Sequence, residues 1–201
     1  MEKIQKSFWP DQSWYFVTTA TFLHYPYFRF DEQKSLVLNR LRQVETEFQI
    51  KIDNFSIAMN HFHYFFYLED GRIYPKITQL LNGGVSFDYK KKFEKKYQNF
   101  WADTKTKIIA TEQGIWRVRG YIAGNLLKHR EVNNFYALAD SPFCSYKKFA
   151  ENYGGEFARN LVYETINFDE KTDGEVAIED GFGGKKNSSV RKVEREEWKL
   201  G

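Results

Sequence analysis

The order of strand-like and helix-like stretches constrains the fold of this chain more than any other feature of its sequence. Four stretches are rich in aromatic and β-branched residues, which is typical of strands: 13–22, 52–59, 63–68 and 104–110. Between and after them lie stretches with apolar residues at helical spacing: one that Asp31 caps, one over 73–97 that is interrupted near Gly83 and Gly84, and one over 112–129. The order strand–helix–strand–strand–helix–strand predicts an α+β fold of the ferredoxin-like type. We expect an antiparallel sheet with helices on one face and a further helix after the last strand.

Composition excludes several classes of protein. The longest apolar runs, 57–59 and 64–68, are far shorter than the ~20 residues that a membrane helix needs. Residues 1–6 lack the apolar segment of a signal peptide. Cys144 is the single cysteine, which excludes an intramolecular disulfide and a cysteine-based zinc site. We therefore expect a cytoplasmic protein with no membrane partner.

Charge is unevenly distributed along the chain. Residues 169–201 hold nine acidic and seven basic side chains, whereas residues 1–168 hold 18 acidic and 23 basic ones. The net charge of +3 for the whole chain therefore conceals a charge of +5 on the first part. Glycine and serine are also concentrated after residue 180. We expect one domain over 1–168 and a polar, flexible tail over 169–201.

Two of the four histidines, His61 and His63, are separated by one residue in a strand-like stretch. Because side chains two residues apart on a strand point to the same face, both imidazoles can reach one metal ion while Phe62 points to the core. Two ligands do not complete a metal site, so such a pair alone is more often two solvated histidines on a strand surface.

A second pattern lies about 60 residues further along, where Tyr121 and Asn125 are four residues apart in a predicted helix. Residues at this spacing share one helix face, so both side chains can face a metal that His61 and His63 hold, with the Asn125 amide oxygen as third ligand. Taken alone, a tyrosine on a helix is more often a core residue.

Together these residues resemble a known family. Residues 59–63 (MNHFH) resemble the M-P-N-H-x-H segment of HUH single-tyrosine transposases, and residues 121–129 (YIAGNLLKH) resemble their Y-I-x-x-N-P-V-K segment. More narrowly, the chain resembles the REP-associated tyrosine transposases, which are relatives of insertion-sequence transposases. The likeness runs from about Ser13 to Tyr153. It departs from the pattern at Met59 and Leu126, where the family has prolines.

The resemblance implies a chemistry for these residues. Tyr121 would be the catalytic nucleophile that attacks a single-stranded or hairpin DNA phosphodiester, giving a 5′-phosphotyrosine and a free 3′-hydroxyl. His61, His63 and Asn125 would hold the divalent metal, Mg²⁺ or Mn²⁺. The resemblance leaves a monomer or a homodimer open, because insertion-sequence relatives dimerise and exchange their tyrosine helix whereas REP-associated ones are monomeric.

Basic residues predict a surface for DNA phosphates. The predicted contacts are Lys90, Lys91, Lys92, Lys95, Lys96, Lys105, Arg117, Arg119, Lys128 and Arg130. Interleaved aromatic residues are candidates for stacking on unpaired bases: Tyr89, Phe93, Tyr97 and Trp101. The alternative for each of these residues is a solvated helix face or a place in the core.

Three alternatives remain at this point. The first is another tyrosine as the nucleophile: Tyr97, Tyr136 or Tyr146, of which only Tyr136 has a metal-binding side chain, Asp140, four residues later. A domesticated, catalytically inactive nucleic-acid-binding module with the same fold is the second alternative. The third is a phosphodiesterase that uses the histidine pair with an activated water.

Overall fold

A four-stranded antiparallel sheet is the centre of the computed structural model, which describes residues 9–94 and 99–166. The strands are β1 (Ser13–Thr21), β2 (Ile52–Ile57), β3 (His61–Leu68) and β4 (Trp101–Ile109). Their order across the sheet is β2-β3-β1-β4, and each neighbouring pair is antiparallel. This topology confirms the predicted ferredoxin-like fold.

Helices cover both faces of the sheet. The helices are α1 (Asp31–Phe48), α2 (Tyr74–Thr78), α3 (Gly84–Phe93), α4 (Glu112–Lys128), α5 (Phe135–Asp140), α6 (Tyr146–Tyr153) and α7 (Gly155–Thr165). The apolar sides of α1 and α3 pack with Phe62, Tyr64 and Phe66 of β3. The tyrosine helix α4 packs on the opposite face, against Phe16 and Phe65. Alternation along β3 therefore separates an aromatic core face from the face on which the candidate site lies.

Several predicted boundaries differ from the structure. The strand predicted over 63–68 begins at His61, so both histidines lie within β3. The interruption predicted near Gly83 and Gly84 is present as a π-helical turn, Gln79–Gly83, before α3 begins at Gly84, and the predicted end of this helix at 95–97 lies outside the described residues. Asp31 is the first residue of helix α1 and not, as predicted, its cap. The N-cap residue is Phe30, whose backbone N–H donates to Gln33 Oε1 at 3.0 Å. The predicted tail over 169–201 lies outside the described residues.

The residues after α4 protect an edge of the sheet. Ile57 N donates to Phe143 O at 2.8 Å, and Ser145 N donates to Phe55 O at 3.0 Å. These bonds pair the segment 143–145 with the outer edge of β2, which covers backbone groups that an edge strand otherwise exposes. Within the described residues, no helix is long and apolar enough to cross a membrane.

Close packing between α4 and α7 depends on glycine at position 120. A Cβ atom placed there lies 2.9 Å from the Leu161 carbonyl oxygen and 2.6 Å from Thr165 Oγ1. The carbonyl belongs to the backbone of α7, so α7 has to move to accept a larger residue.

We predict that Gly120→Ala lowers the free energy of unfolding by about 1–2 kcal/mol, because overpacking outweighs the better helix propensity of alanine. Denaturant unfolding followed by circular dichroism measures the change. Gly83→Ala is the matched control: no atom lies within 4 Å of its added Cβ, and we expect it to stabilise the fold by about 0.5–1 kcal/mol. A Gly120→Ala protein as stable as the parent would contradict this account of the α4–α7 contact.

Candidate functional site

The two histidines of β3 lie side by side on the face that α4 covers. Both side chains are buried, and their ring centroids are 4.9 Å apart. His61 Nδ1 lies 2.7 Å from Asn60 Oδ1, and His63 Nδ1 lies 2.9 Å from Thr18 Oγ1. Since an amide oxygen only accepts, His61 Nδ1 carries the proton and Nε2 keeps its lone pair. His63 Nε2 is buried and has no hydrogen-bond partner among the described residues.

Burial keeps both imidazoles neutral at neutral pH. Burial, together with nearby His129 and His24, lowers the pKa of His61 to about 3. Burial also lowers the pKa of His63 well below its ordinary value, and His61 contributes in the same direction. The neutral imidazole is the form that binds metals.

Helix α4 brings Tyr121 and Asn125 to the same histidines. The helix begins after Thr111, whose Oγ1 accepts from Gly114 N at 3.1 Å and so caps the first turn. The Tyr121 ring centroid lies 5.3 Å from that of His63 and 6.1 Å from that of Phe16. The structure therefore brings together the predicted nucleophile and the predicted histidine ligands.

The Asn125 amide is buried without partners. Neither Oδ1 nor Nδ2 has a hydrogen-bond partner among the described residues, and the amide lies near enough to His61 to raise its pKa slightly against the effect of burial. A buried unpaired amide is costly for a fold. An oxygen of this kind beside two imidazole nitrogens suits a divalent cation such as Mg²⁺ or Mn²⁺. Among the described residues no group of three or more His, Cys, Asp or Glu side chains is placed to hold a metal ion, so the candidate set depends on this amide.

Two further side chains, the Lys128 ammonium and the His129 imidazole, border the site. Lys128 Nζ lies 4.5 Å from the Tyr121 ring centroid, and the His129 ring centroid lies 4.6 Å from that of His61. Sequence reasoning did not single out His129 as a site residue. The spacing of four that joins Tyr121 to Asn125 continues to position 129, which is the signal that indicates its place beside the site.

An ion pair between Lys34 and Glu131 joins α1 to the residues that follow α4. The two side chains are only 9% and 8% exposed. Glu131 Oε1 also accepts from Met59 N at 2.7 Å, in the turn between β2 and β3. Position 59 carries a proline in the resembling family, and proline has no N–H to donate. Glu131 therefore fixes the turn before His61 to the end of the tyrosine helix through a bond that the family's residue cannot make.

The predicted DNA contacts divide into several groups. Lys105 on β4 is exposed and lies opposite Thr18, so its side chain is on the face of the histidines. Lys128 and Arg130 lie at the end of α4, and Arg117 is half-buried earlier on that helix. Lys90, Lys91 and Lys92 are exposed on α3, across the sheet from Tyr121, and Lys92 pairs with Glu32 at 2.7 Å. Lys95 and Lys96 lie outside the described residues.

Arg119 has a structural role within the fold that the sequence did not indicate. Its guanidinium forms two hydrogen bonds to Asp53, at 2.7 and 3.0 Å, and lies between the rings of three aromatic residues. Those rings are Trp14, Trp116 and Tyr153, with centroids 5.4, 4.9 and 5.5 Å from Arg119 Cζ. These contacts hold Arg119 within the fold, so it plays no part in the DNA surface that we propose below.

The predicted base-stacking aromatics are mostly core residues. Tyr89 is buried, Phe93 packs against the core, and Trp101 Nε1 donates to Asn82 O at 2.8 Å. Burial excludes stacking by Tyr89 and the half-buried positions of Phe93 and Trp101 favour the core alternative for them, whereas Tyr97 lies outside the described residues. Of the other tyrosines weighed as nucleophile, Tyr136 is 83% exposed on α5 and Tyr146 is buried on α6.

Comparison with known proteins points to one family. The family model described as "Transposase IS200 like" matches residues 24–125, which include the histidine pair, Tyr121 and Asn125. The chain is similar to the solved structure of a REP-associated tyrosine transposase bound to a REP hairpin, with a TM-score of 0.54 and 15% identity over 80% of this chain and 88% of that one. It is also similar to a putative transposase from Deinococcus radiodurans R1, with a TM-score of 0.44 and 16% identity over 61% of this chain and 95% of that one. No curated protein matches the chain in sequence.

We predict that Glu131→Gln lowers the free energy of unfolding by about 3 kcal/mol, because it leaves the buried Lys34 ammonium without its counter-charge. Adding Lys34→Met should recover most of this loss, since no charge is then buried without a counter-charge. Urea unfolding of the two single variants and the double variant measures the coupling. Single variants whose losses simply add would contradict a direct interaction.

Proposed function

We propose that this chain, which belongs to the family of IS200-like transposases, cleaves and rejoins single-stranded DNA with Tyr121 as the nucleophile. The observation that carries the proposal is the contact of Tyr121 with a neutral, buried histidine pair beside an unpartnered amide. If these groups had only a structural role, there would be no reason to leave His63 Nε2 and both Asn125 amide atoms without hydrogen-bond partners. Binding of a ligand explains why these atoms are left available.

The reaction is an exchange of phosphodiester bonds. The phenol oxygen of Tyr121 attacks the phosphorus, the bond from phosphorus to the 3′ oxygen breaks, and the phenolic proton ends on the released 3′-hydroxyl. The product is a 5′-phosphotyrosine, which retains the bond energy. Attack by a 3′-hydroxyl reverses the step and regenerates the tyrosine, so rejoining needs no ATP.

The residues around Tyr121 favour this step. A phenol in water has a pKa near 10 and is a weak nucleophile at neutral pH. The Lys128 ammonium, 4.5 Å from the ring centroid, stabilises negative charge on the phenol oxygen and on the phosphate. Packing against Phe16 restricts the ring to one orientation relative to His63.

The residues that would hold a divalent cation, Mg²⁺ or Mn²⁺, are His61, His63 and Asn125. The two Nε2 atoms and the amide oxygen supply three ligands and leave other positions for phosphate oxygens. When bound, the cation withdraws charge from the phosphate oxygens in the transition state.

DNA strands with a hairpin are the proposed substrate. A solved structure with the same fold is bound to a REP hairpin, which supports this choice. Lys105, Lys128 and Arg130 lie around the site and would neutralise phosphates on the strand, giving an affinity that falls with salt. A non-catalytic DNA-binding module remains the second candidate, because Met59 and Leu126 replace the family's prolines.

Incubation with labelled single-stranded hairpin DNA and Mn²⁺ should give a protein–DNA adduct that survives denaturing electrophoresis. We predict that Tyr121→Phe abolishes the adduct, because the phenol oxygen that forms the covalent bond is missing. Cleavage should fall by a factor on the order of 1000 or more for the same reason. Tyr136→Phe is the matched control, since Tyr136 is exposed away from the histidines and should leave the adduct unchanged. Cleavage without any adduct would favour an activated water, and binding without cleavage would favour the non-catalytic module.

Metal binding should be visible without DNA. We predict that Mn²⁺ at about 100 times its Kd stabilises the parent by about 2.7 kcal/mol, which raises Tm by several degrees. His63→Ala and Asn125→Ala should each remove most of this rise, because each loses one ligand. His24→Ala is the control with an exposed histidine outside the ligand set. An equal rise in Tm for His63→Ala and for the parent would place the metal elsewhere.

A further inference from the structure

An exposed apolar loop projects from the end of β1, beside the candidate site. We call residues 22–25 the rim loop; it comprises a short 3₁₀ turn, Phe22–His24, and Tyr25. Leu23 is 81% exposed and Tyr25 is 55% exposed, and Phe22 is also partly in solvent. Scattered apolar side chains on a surface are ordinary, but three within four residues are unusual for a chain that has a large core to bury them in.

The backbone of the rim loop is strained and yet well anchored. Leu23 and His24 have φ values of 53° and 54°, in the left-handed region that side chains other than glycine rarely adopt. Thr21 Oγ1 donates to Tyr25 O at 2.7 Å, and Tyr25 N donates to the Phe22 carbonyl at 3.2 Å. Strain of this kind persists only where surrounding bonds impose it, and it holds the Leu23 side chain out in solvent.

Asn60 connects the rim loop to the histidine pair. Its Nδ2 donates to His24 O at 3.2 Å, while its Oδ1 accepts from His61 Nδ1 at 2.7 Å. Thr21 N donates to Asn60 O at 2.9 Å. One residue therefore sets the position of the loop and the orientation of His61, so the loop is fixed relative to the site where the phosphate reacts.

We propose that the rim loop is the platform on which an unpaired nucleotide next to the scissile phosphate stacks. This inference rests on the proposed function. The flat face of a base is apolar. It can stack on an aromatic ring, and it can also pack against an aliphatic side chain. Tyr25 and Leu23 offer such groups in fixed positions, so little conformational entropy is lost on binding. Tyr89 is in the core, and Phe93 and Trp101 pack against it, so these rings are less available for this role.

Charge and area favour a DNA strand over a second copy of the chain as the occupant. Lys128, Arg130 and Lys105 border the same end of the sheet, which attracts a polyanion and repels an identical surface. Three side chains also provide far less than the ~1,200–2,000 Å² that stable protein interfaces bury.

Two variants remove the proposed platform at exposed positions; the Tyr25 ring also contacts the core ring of Tyr27, with centroids 4.6 Å apart, so Tm is measured for each variant beside Kd. Leu23→Gly deletes the side chain and places glycine where the backbone is left-handed, so Tm should stay the same or rise. Tyr25→Ala deletes the exposed ring. The probe is a fluorescent single-stranded oligothymidylate, and its Kd is measured by anisotropy over a range of salt concentrations. We expect each variant to raise Kd about tenfold while the slope of log Kd against log salt stays that of the parent.

Matched controls separate stacking from other effects. Phe87→Ala and Tyr136→Ala remove exposed rings elsewhere and should leave Kd unchanged. Lys105→Ala should weaken binding and also reduce the salt slope.

The outcomes separate failure of this inference from failure of the proposed function. If Leu23→Gly and Tyr25→Ala bind the oligothymidylate as the parent does, the rim loop is not the platform, whatever the adduct assay shows. If light scattering shows a parent dimer that Leu23→Gly dissociates, the loop is an interface between copies and the inference is overturned. If the variants lose binding but Tyr121→Phe still forms the adduct, the platform stands and the assignment of Tyr121 fails.

Discussion

The antiparallel register between β1 and β3 is the constraint on which the site depends. It places Thr18 opposite His63 and Phe16 opposite Phe65. Because side chains alternate along a strand, the same register directs Phe62 and Tyr64 into the aromatic core on the other face. A slip of one residue would bury the histidines among those rings and expose the aromatic residues to the tyrosine helix. Burial of the aromatic core therefore also fixes the position of the histidine pair, so the core and the site cannot be varied independently.

The site retains polar groups that the core alone would not tolerate. Two neutral imidazoles, an unpartnered amide and a buried ion pair lie within one region between β3 and the end of α4. The Lys34–Glu131 pair costs desolvation, and such pairs are weak sources of stability. Its carboxylate, however, also holds Met59 N, and this bond restrains the turn that a proline would otherwise stiffen. The loss of the family's proline is thus accompanied by a different restraint on the same turn, which keeps His61 in place.

The sequence predicts those features that follow from local periodicity. Strand order, the shared face of His61 and His63, and the shared face of Tyr121 and Asn125 all follow from the periods of strand and helix, and the structure confirms them. Features set by distant residues have no such signal. Lys34 and Glu131 are 97 positions apart, and Arg119 meets an aspartate 66 positions away. The core position of Tyr89 has no such signal either, because composition does not distinguish a ring that stacks on a base from one that packs in the core.

The tyrosine helix is held from both sides within one chain. In front, Val118, Tyr121 and Ile122 pack with Phe16 and Phe65. Behind, the absence of side chains at Gly120 and Gly124 lets α7 approach, and a Cβ at Gly124 would lie 2.5 Å from Val162 Cγ1. Withdrawing α4 to serve another copy would expose both surfaces at once, at a cost of about 25 cal/mol for each Å² of apolar area. The packing therefore places Tyr121 beside the histidines of its own chain in the site that we propose, and it makes α7 the element that determines how closely the tyrosine approaches them.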